Sequence, residues 1–484
     1  MPPSTSGKVA PRSPANRRSP KDLPPEIEPD SKPKPRLSAL RLKFDEENLV
    51  PNAGLVLASV LSGALGVEGL VSKLLTRAGN TKLANAGAKI MTILLAMLAG
   101  GDSIDDCDVL RAGSTQAVIE QRVLAPSTIG TFLRAFTWKG VAQMMSVFHE
   151  ITLRAWAVGA NPATWSRVVV DIDSFCGQVY GKRKEGTGFG YRRFLCYHPL
   201  LATLPKTGEI IHIRCRRGNA NTQLGLEKFI REIIDLMRRG GVAMEQLYIR
   251  ADAGMQNERV FRLLDSIGAR FSIGVHVNKA VRAIIEALPD GSKLPDGTPN
   301  PTFDPKSLVH GAWSKLLKYP AGGEAWAAEA VYHGWRLIIR RVRADDKLRK
   351  KGVEWLYFAF VTNNRIDPLL VMDGDHRDHA AIEPVIADNK AQGLAHFPSG
   401  KLIANMVWTI LAALSHNIGR WVSTIGLPGE RPCTARKRRM EFFSVPGKMK
   451  YHARQWTLHL PDNWPWRGRF EQAFERLQAL PTLT

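Results

Sequence analysis

The order of predicted elements between residues 167 and 277 constrains the fold more than any other feature of this sequence. Apolar and β-branched runs between glycine and proline turns predict strands, and apolar residues at helical spacing predict amphipathic helices. Three strands come first, followed by a helix, a strand, a helix and a strand. The predicted segments are residues 167–174, 189–201, 208–215, 222–239, 246–251, a helix that carries Val260, Phe261 and Leu264, and 270–277. This alternation indicates an α/β domain.

The same order of elements is that of the ribonuclease-H-like fold, in which the first and fourth strands lie side by side. The first strand reads Val-Val-Val-Asp-Ile-Asp-Ser over residues 168–174, and the fourth runs into Asp252. Because side chains alternate along a strand, Asp171 and Asp173 project to one face. We therefore expect Asp173 and Asp252 to lie together where the two strands end. Alone, the first strand is equally compatible with an edge strand that has a solvated acidic end.

A third carboxylate is needed to hold a pair of divalent metal ions, and the candidate is Glu383. On one continuous helix, Lys390 lies almost two turns beyond Glu383 on the same face, and His379 lies one turn before it. Proline suits the first turn of a helix, so the helix can begin at Pro384, which weakens the expectation for His379. An exposed helix with ordinary charge pairing would show the same spacing.

The charge of the chain favours a polyanionic partner. Lys and Arg outnumber Asp and Glu by 67 to 45, a formal net charge of +22, and such an excess is typical of nucleic-acid-binding proteins. An anionic membrane surface is the second class of partner. No apolar run in the sequence reaches the roughly 18 residues of a membrane span, and no signal peptide is predicted, so we expect no membrane association. Five scattered cysteines indicate reduced thiols and no zinc site.

Composition divides the rest of the chain. Residues 1–45 are rich in Pro, Ser, Lys and Arg, which predicts a disordered basic tail. The other predicted parts are a helical DNA-binding domain (46–160), the first part of the ribonuclease-H-like core (161–280), a β-rich insertion (281–365), a helical part of the core that bears Glu383 (366–425) and a basic C-terminal region (426–484). Most helical domains do not bind DNA, so the pattern of 46–160 alone leaves that role open.

Several short motifs resemble those of the group-1 DDE transposases of bacterial insertion sequences. They are Asp171-Ile172-Asp173-Ser174, Tyr180-Gly181-Lys182, Gly190-Tyr191, Tyr197-His198-Pro199-Leu200, Arg217 to Asn221, Arg250 to Gly254, and Ile382-Glu383 through Lys390. The resemblance covers about residues 50–480 with the motif order preserved. It implies a ribonuclease-H-like catalytic core with a β-rich insertion between the second Asp and the Glu, and a helical N-terminal DNA-binding region.

The resemblance also implies the chemistry. Asp173, Asp252 and Glu383 would be the catalytic and metal-binding residues, holding two Mg²⁺ ions for which Mn²⁺ can substitute. The family pattern, an Asp directly before a small hydroxyl residue, favours Asp173, with Asp171 as the alternate ligand. The wider signature places a Tyr and an Arg before the glutamate, and here His376 and His379 stand in those positions.

DNA contacts are expected from several basic residues. Lys390 would bind a phosphate beside the scissile bond, and Arg377 is a second candidate for such a contact. The residues that would follow the DNA backbone are Lys182, Arg183, Arg192, Arg193 and the segments 214–217 and 436–439. In related transposases a Trp of the insertion can stack on a flipped base; Trp313, Trp326 and Trp335 are candidates, although a core role is the simpler interpretation of each.

We therefore expect a transposase that binds the terminal inverted repeats of an insertion sequence, cleaves DNA at the ends and transfers the 3′-OH strands to target DNA. The resemblance implies a homodimer in a synaptic complex, and the expected location is the bacterial cytoplasm, on the nucleoid. Two alternatives stay open. One is a catalytically silent, transposase-derived DNA-binding protein, and the other is a ribonuclease-H-like nuclease that acts on unrelated DNA.

Overall fold

A computed structural model of the protein describes residues 37–76, 83–159, 161–190, 193–289, 298, 313–315 and 325–483. The helices are α1 (Leu55–Ala64), α2 (Val67–Thr76), α3 (Ala86–Ala99), α4 (Thr115–Val118), α5 (Pro126–Arg134), α6 (Trp138–Val158), α7 (Leu226–Arg239), α8 (Glu258–Ser266), α9 (Lys279–Ala287), α10 (Asp346–Arg349), α11 (Leu369–Arg377), α12 (Ile382–Lys390), α13 (Leu402–Gly426), α14 (Ala435–Arg438) and α15 (Arg467–Gln478). The strands are β1 (Leu49–Val50), β2 (Val168–Ser174), β3 (Gly177–Gln178), β4 (Gly188–Phe189), β5 (Leu195–Tyr197), β6 (Leu200–Leu204), β7 (Glu209–Arg214), β8 (Leu247–Ala251), β9 (Arg270–Val275), β10 (Ser314–Lys315), β11 (Ala325–Tyr332), β12 (Trp335–Arg343), β13 (Trp355–Thr362), β14 (Gly447–His452) and β15 (Gln455–His459).

The central sheet has the predicted ribonuclease-H-like order. Within the described residues it runs β10-β11-β12-β13-β9-β8-β2-β6-β7. Strand β2 is parallel to β8, β8 is parallel to β9, and β6 and β7 form an antiparallel meander on the other side of β2. The core is therefore an α/β fold, and the adjacency predicted for the first and fourth strands is confirmed.

The β-rich insertion continues this sheet. Strand β13 pairs antiparallel with β9, and β12 and β11 extend the ladder outward. Strands β11, β12 and β13 all lie within the range 281–365 predicted to be β-rich. Much of the proline-rich stretch between 290 and 324 lies outside the described residues, as do residues 1–36 of the predicted tail.

The strand predicted over 189–201 is divided in the structure. Strand β5 ends at Tyr197 and β6 begins at Leu200, with His198 and Pro199 between them. Proline has no N–H to donate to a ladder, so the strand cannot run through this position. Strand β5 instead pairs with β3 and β4 in a small sheet beside the end of β2.

Helix α13 organises the helical half of the molecule. It is mainly apolar and most of its residues are buried, and α3, α6 and α15 pack against it. Asn417 on α13 also bonds to both backbone groups of Ile210, which covers the edge strand β7. By length and composition α13 could cross a membrane, but 94% of its most apolar window is buried inside the protein. It therefore has the environment of a core helix.

The helices of residues 46–160 and the C-terminal region share this core. Residues from both parts and from α13 belong to one apolar cluster. The Arg154 guanidinium donates to the carbonyl oxygens of Leu65 and Leu483, both at 2.9 Å, and β1 pairs with β14. The N-terminal helices and the C-terminal region of the described chain therefore pack against each other in one core.

Candidate active site

Two neighbouring strands carry Asp173 and Asp252 to one edge of the sheet. The parallel register of β2 and β8 pairs Ile172 with Ala251. The next residues are Asp173, near the end of β2, and Asp252, directly after β8. The two carboxylates therefore leave the sheet side by side and line the same cleft.

The turn that presents Asp252 needs a glycine on the adjacent strand. A Cβ atom at Gly274 of β9 would lie 2.5 Å from the backbone nitrogen of Ala253 and 2.8 Å from the carbonyl carbon of Asp252. No side chain fits at that distance from backbone atoms. Gly274 therefore lets the Asp252 turn pass directly over β9.

Glu383 enters the cleft from the first turn of α12. The helix begins at Ile382, so Pro384 lies in its first turn, where a missing N–H costs no hydrogen bond. Lys390 at the end of α12 lines the same cleft, as its spacing from Glu383 predicts, and its ammonium lies 5.0 Å from the centre of the Phe175 ring. The cleft has a volume of about 810 Å³ and also receives Asn221, Thr222 and His276.

Buried Arg250 connects strands β2 and β8 with helix α11 and with the turn that precedes Glu383. Arg250 of β8 donates to both oxygens of Asp171 at 2.6 and 2.9 Å. It also donates to the carbonyl oxygens of Asp375 (2.6 Å) and Asp378 (3.2 Å), just ahead of α12. Asp171 is fully buried and has both oxygens engaged, and Asp173 lines the cleft, so the two carboxylates have different roles.

The side chains of His376 and His379 also contact other parts of the protein. The His379 ring nitrogen Nε2 lies 3.0 Å from the carbonyl oxygen of Ile172, between the two aspartates of β2. His376 stacks on Phe360 and lies 2.9 Å from the hydroxyl of Ser272. Burial lowers the pKa of His376 to about 3, so this ring is neutral at physiological pH.

Negative charge accumulates around Asp173. Burial raises the pKa of its carboxyl to about 6, and the charges of Asp252 and, more weakly, Glu383 act in the same direction. The Ser174 N–H donates to Asp173 at 2.6 Å and opposes the rise. In the part of the chain that the structure describes, no three His, Cys, Asp or Glu side chains are gathered as a ready-made metal site. Three carboxylates that repel one another nevertheless offer the hard oxygen donors that Mg²⁺ takes.

Comparison with known proteins identifies the family. The model of the family described as transposase DDE domain, group 1, matches residues 33–482. The chain belongs to this transposase family. No curated protein matches the sequence. Among solved structures, the chain is similar to piggyBac transposase in a synaptic complex with hairpin DNA, at 11% sequence identity and a TM-score of 0.41 over 90% of this chain and 83% of that one.

The residues of the transposase that were predicted to bind DNA differ in their exposure and in their position relative to the cleft. Lys182, Arg183 and Arg193 are exposed in the connections between the strands of the small β3-β5-β4 sheet, whose first strand directly follows the cleft residues Phe175 and Cys176. Arg192 lies outside the described residues. Arg377 bonds to Asp373 within α11 at 3.0 Å and does not line the cleft.

Two basic segments of this transposase mix exposed and internal cations: Arg217, Arg436 and Lys437 are exposed, whereas others are bonded inside the protein. Within residues 214–217, Arg214 pairs with Glu232, and buried Arg216 donates to the carbonyl oxygens of His198 and Thr222. Within 436–439, Arg438 is 1% exposed and donates to the carbonyl oxygen of Cys433. A run of cations in the sequence does not by itself show how many of them face solvent.

The insertion tryptophans lie among protein side chains. Trp335 is half-buried and packs against Phe261 and Phe271 in the core of the central sheet. Trp313 and Trp326 lie 4.4 and 5.1 Å from the Arg341 guanidinium. Trp313 is only 2% exposed. Their positions agree with the core role that the sequence favoured.

The sequence analysis did not identify Arg250 as the residue that connects Asp171 with the turn before Glu383. Its signal was a charged residue inside an otherwise apolar strand, Leu247–Ala251, where a buried charge requires a partner. The partner could have been sought in Asp171, which the parallel register places directly opposite.

Proposed function

We propose that this transposase binds the terminal inverted repeats of an insertion sequence, cleaves DNA at its ends and joins the freed 3′-OH strands to target DNA. The observation that carries the proposal is the convergence of Asp173, Asp252, Glu383 and Lys390, from three separate elements, in one cleft. Carboxylates beside a cation are the groups that phosphodiester cleavage requires.

In this proposal Asp173, Asp252 and Glu383 hold Mg²⁺ ions, with Mn²⁺ as a substitute. When bound, such ions stabilise the attacking and leaving oxygens of an in-line displacement. Lys390 holds a phosphate oxygen near the scissile bond. Arg250 and His379 touch no DNA; they keep the turn before α12 against β2, so that Glu383 stays beside the aspartates.

The protein's partner in the proposal is DNA, both transposon ends and target, and pairing of two ends makes a homodimer the expected assembly. The expected site of action is the bacterial nucleoid. Lys182, Arg183, Arg193 and Arg192 would contact the DNA backbone close to the cleft.

The test is cleavage of duplex DNA that carries the element's own inverted repeats, with Mg²⁺ or Mn²⁺. Asp252→Ala and Glu383→Ala should abolish cleavage, and Glu286→Gln, which removes an exposed carboxylate on α9, should leave it unchanged. Cleavage by Asp252→Ala at the parent rate would refute the site. A parent that binds the repeats without cutting them would instead support the silent DNA-binding protein, and cleavage without preference for the repeats would support the general nuclease.

A further inference from the structure

The hairpin formed by β14 and β15, residues 447–459, has two chemically different faces. It is called the C-terminal hairpin below. The antiparallel register pairs Lys448 with His459, Lys450 with Thr457 and His452 with Gln455, and directly paired residues lie on the same face. That face therefore carries only cations and hydrogen-bonding side chains.

The opposite face anchors the hairpin to the body. Met449 pairs with Leu458, and both belong to or pack against the large apolar core. Farther out, Tyr451 pairs with Trp456, and their rings lie 4.9 Å apart. The apolar face fixes the base of the hairpin and stiffens its outer half, so the polar face is held in a defined orientation.

The outer half of the C-terminal hairpin projects from the protein. Strand β1 pairs only with Gly447 and Lys448, and among the described residues no strand pairs with the outer edge of β15. Every residue from Lys450 to Thr457 is exposed, and residues 447–459 contain no Asp or Glu. In the body, many cations are paired with carboxylates. In the hairpin only Lys448, at the base, is paired with a carboxylate of the described residues, that of Glu46.

The tip of the hairpin is a strained two-residue turn. Ala453 (φ 49°) and Arg454 (φ 65°) both have left-handed backbone conformations. A two-residue turn of this kind favours Asn-Gly, because other side chains are strained there. The chain nevertheless has an arginine in this exposed turn at the tip of the hairpin.

These dimensions suit the major groove of DNA. The groove is about 12 Å wide and 8.5 Å deep and admits a two-stranded ribbon. At about 3.3 Å per residue, the strand from Lys448 to His452 is roughly 13 Å long, so the ribbon can lie in the groove with its polar face towards the groove floor. Lys450 and Arg454 can contact phosphates on the groove walls, and Gln455 and Thr457 can hydrogen-bond to base edges.

We propose that the C-terminal hairpin is a DNA-binding element that enters the major groove of duplex DNA with its polar face. This surface is separate from the cleft, and the inference rests on the proposed function only in taking DNA as the ligand. It gives the transposase a contact with the duplex that does not depend on the catalytic carboxylates.

The test measures binding of the full chain to a fluorescein-labelled duplex by anisotropy, in EDTA and over a series of salt concentrations. The variant Lys450→Ala/Arg454→Asn removes two cations, and asparagine tolerates the left-handed conformation, so the turn is not strained further. The matched control Lys228→Ala/Arg238→Ala removes two exposed cations from α7. Melting temperatures show whether each variant remains folded.

The hairpin variant should bind roughly tenfold more weakly, and its slope of log K against log salt should be lower by about 1.8, or 0.9 for each phosphate contact. The control should stay within about twofold of the parent. Equal losses in both variants would mean that only net charge matters and would overturn the proposal. An equal loss on single-stranded DNA would overturn entry into the groove.

Cleavage assays separate this proposal from the proposed function. If the parent cuts the transposon ends while the hairpin variant binds duplex as tightly as the parent, the hairpin proposal fails and the function stands. If the hairpin variant loses duplex binding while the parent never cuts, the hairpin proposal stands and the function fails.

Discussion

Removing Arg250 should be costly because it leaves the Asp171 carboxylate buried without a partner. The Arg250 side chain is 4% exposed and that of Asp171 is 0% exposed. Breaking a buried pair from one side costs about 3–5 kcal/mol. At 2–4 °C per kcal/mol for a unit of 150–250 residues, Arg250→Met should lower the melting temperature of the sheet by roughly 6–20 °C.

A double variant tests that explanation. Asp171→Leu/Arg250→Met removes both charges, and replacing a buried pair with apolar side chains of similar size is often neutral. The double variant should therefore melt near the parent temperature in scanning calorimetry. If it melts as low as Arg250→Met alone, the loss of stability comes from packing, and the explanation by an unpaired buried Asp171 carboxylate is wrong.

Activity should follow a different course from stability. The double variant still lacks the bonds from Arg250 to the carbonyl oxygens of Asp375 and Asp378, so its cleavage rate should stay low although its stability recovers. Arg336 of β12 is the matched control, because it pairs with Glu329 of β11 and donates to the carbonyl oxygens of Asn364 and Asp367, in the loop that follows β13. Arg336→Met should lose stability and keep the parent cleavage rate at a temperature where it is folded.

Three further predictions concern the cleft and the buried histidines. Gly274→Ala should lower the free energy of unfolding by about 1–3 kcal/mol and reduce cleavage, because the added Cβ meets the Asp252 turn. Gly374→Ala, whose Cβ would have nothing within 4 Å, should change neither stability nor cleavage, and equal behaviour of the two variants would contradict the prediction. Burial lowers the pKa of His149 to about 3, so the neutral ring contributes fully to stability above about pH 6.5, and the free energy of unfolding declines by up to about 1.4 kcal/mol per pH unit as the pH falls towards 3. His149→Gln should therefore reduce the dependence of stability on pH over that range in urea titrations. An unchanged pH dependence would contradict this prediction. Mg²⁺ at ten times its Kd should stabilise the parent by about 1.4 kcal/mol and leave Asp173→Asn unaffected in thermal melts, whereas equal shifts would place the ion elsewhere.

Local pattern was sufficient to predict strands β2, β7, β8 and β9 and the aspartate pair, but it merged β5 and the start of β6 into one strand. Strand β2 is a run of β-branched residues that ends in two acidic ones, and the element order then determines which strand lies beside it. The distinction between Asp171 and Asp173 could not be derived from alternation, because both face the same way. It depends on Arg250, whose other contacts, at Asp375 and Asp378, are 125 and 128 positions away in the sequence.

The sequence was least informative where charged residues are buried. The run 436–439 indicates a uniform cationic surface, yet Arg438 lies in the interior beside Cys433. The C-terminal hairpin has the opposite problem, since its cations are spaced by single residues and form no run. Only the pairing of β14 with β15 shows that they share a face.

The position of α13 late in the chain has a consequence for synthesis. The ribosome completes α1 to α6 long before residues 402–426 emerge, so the apolar surfaces that pack on α13 have no partner during that interval. Contacts between such distant segments form slowly, and exposed apolar surface invites aggregation. The N-terminal helices of a nascent chain are therefore expected to depend on chaperones until α13 is made, and chains truncated before residue 402 should be degraded rather than accumulate as competitors for DNA.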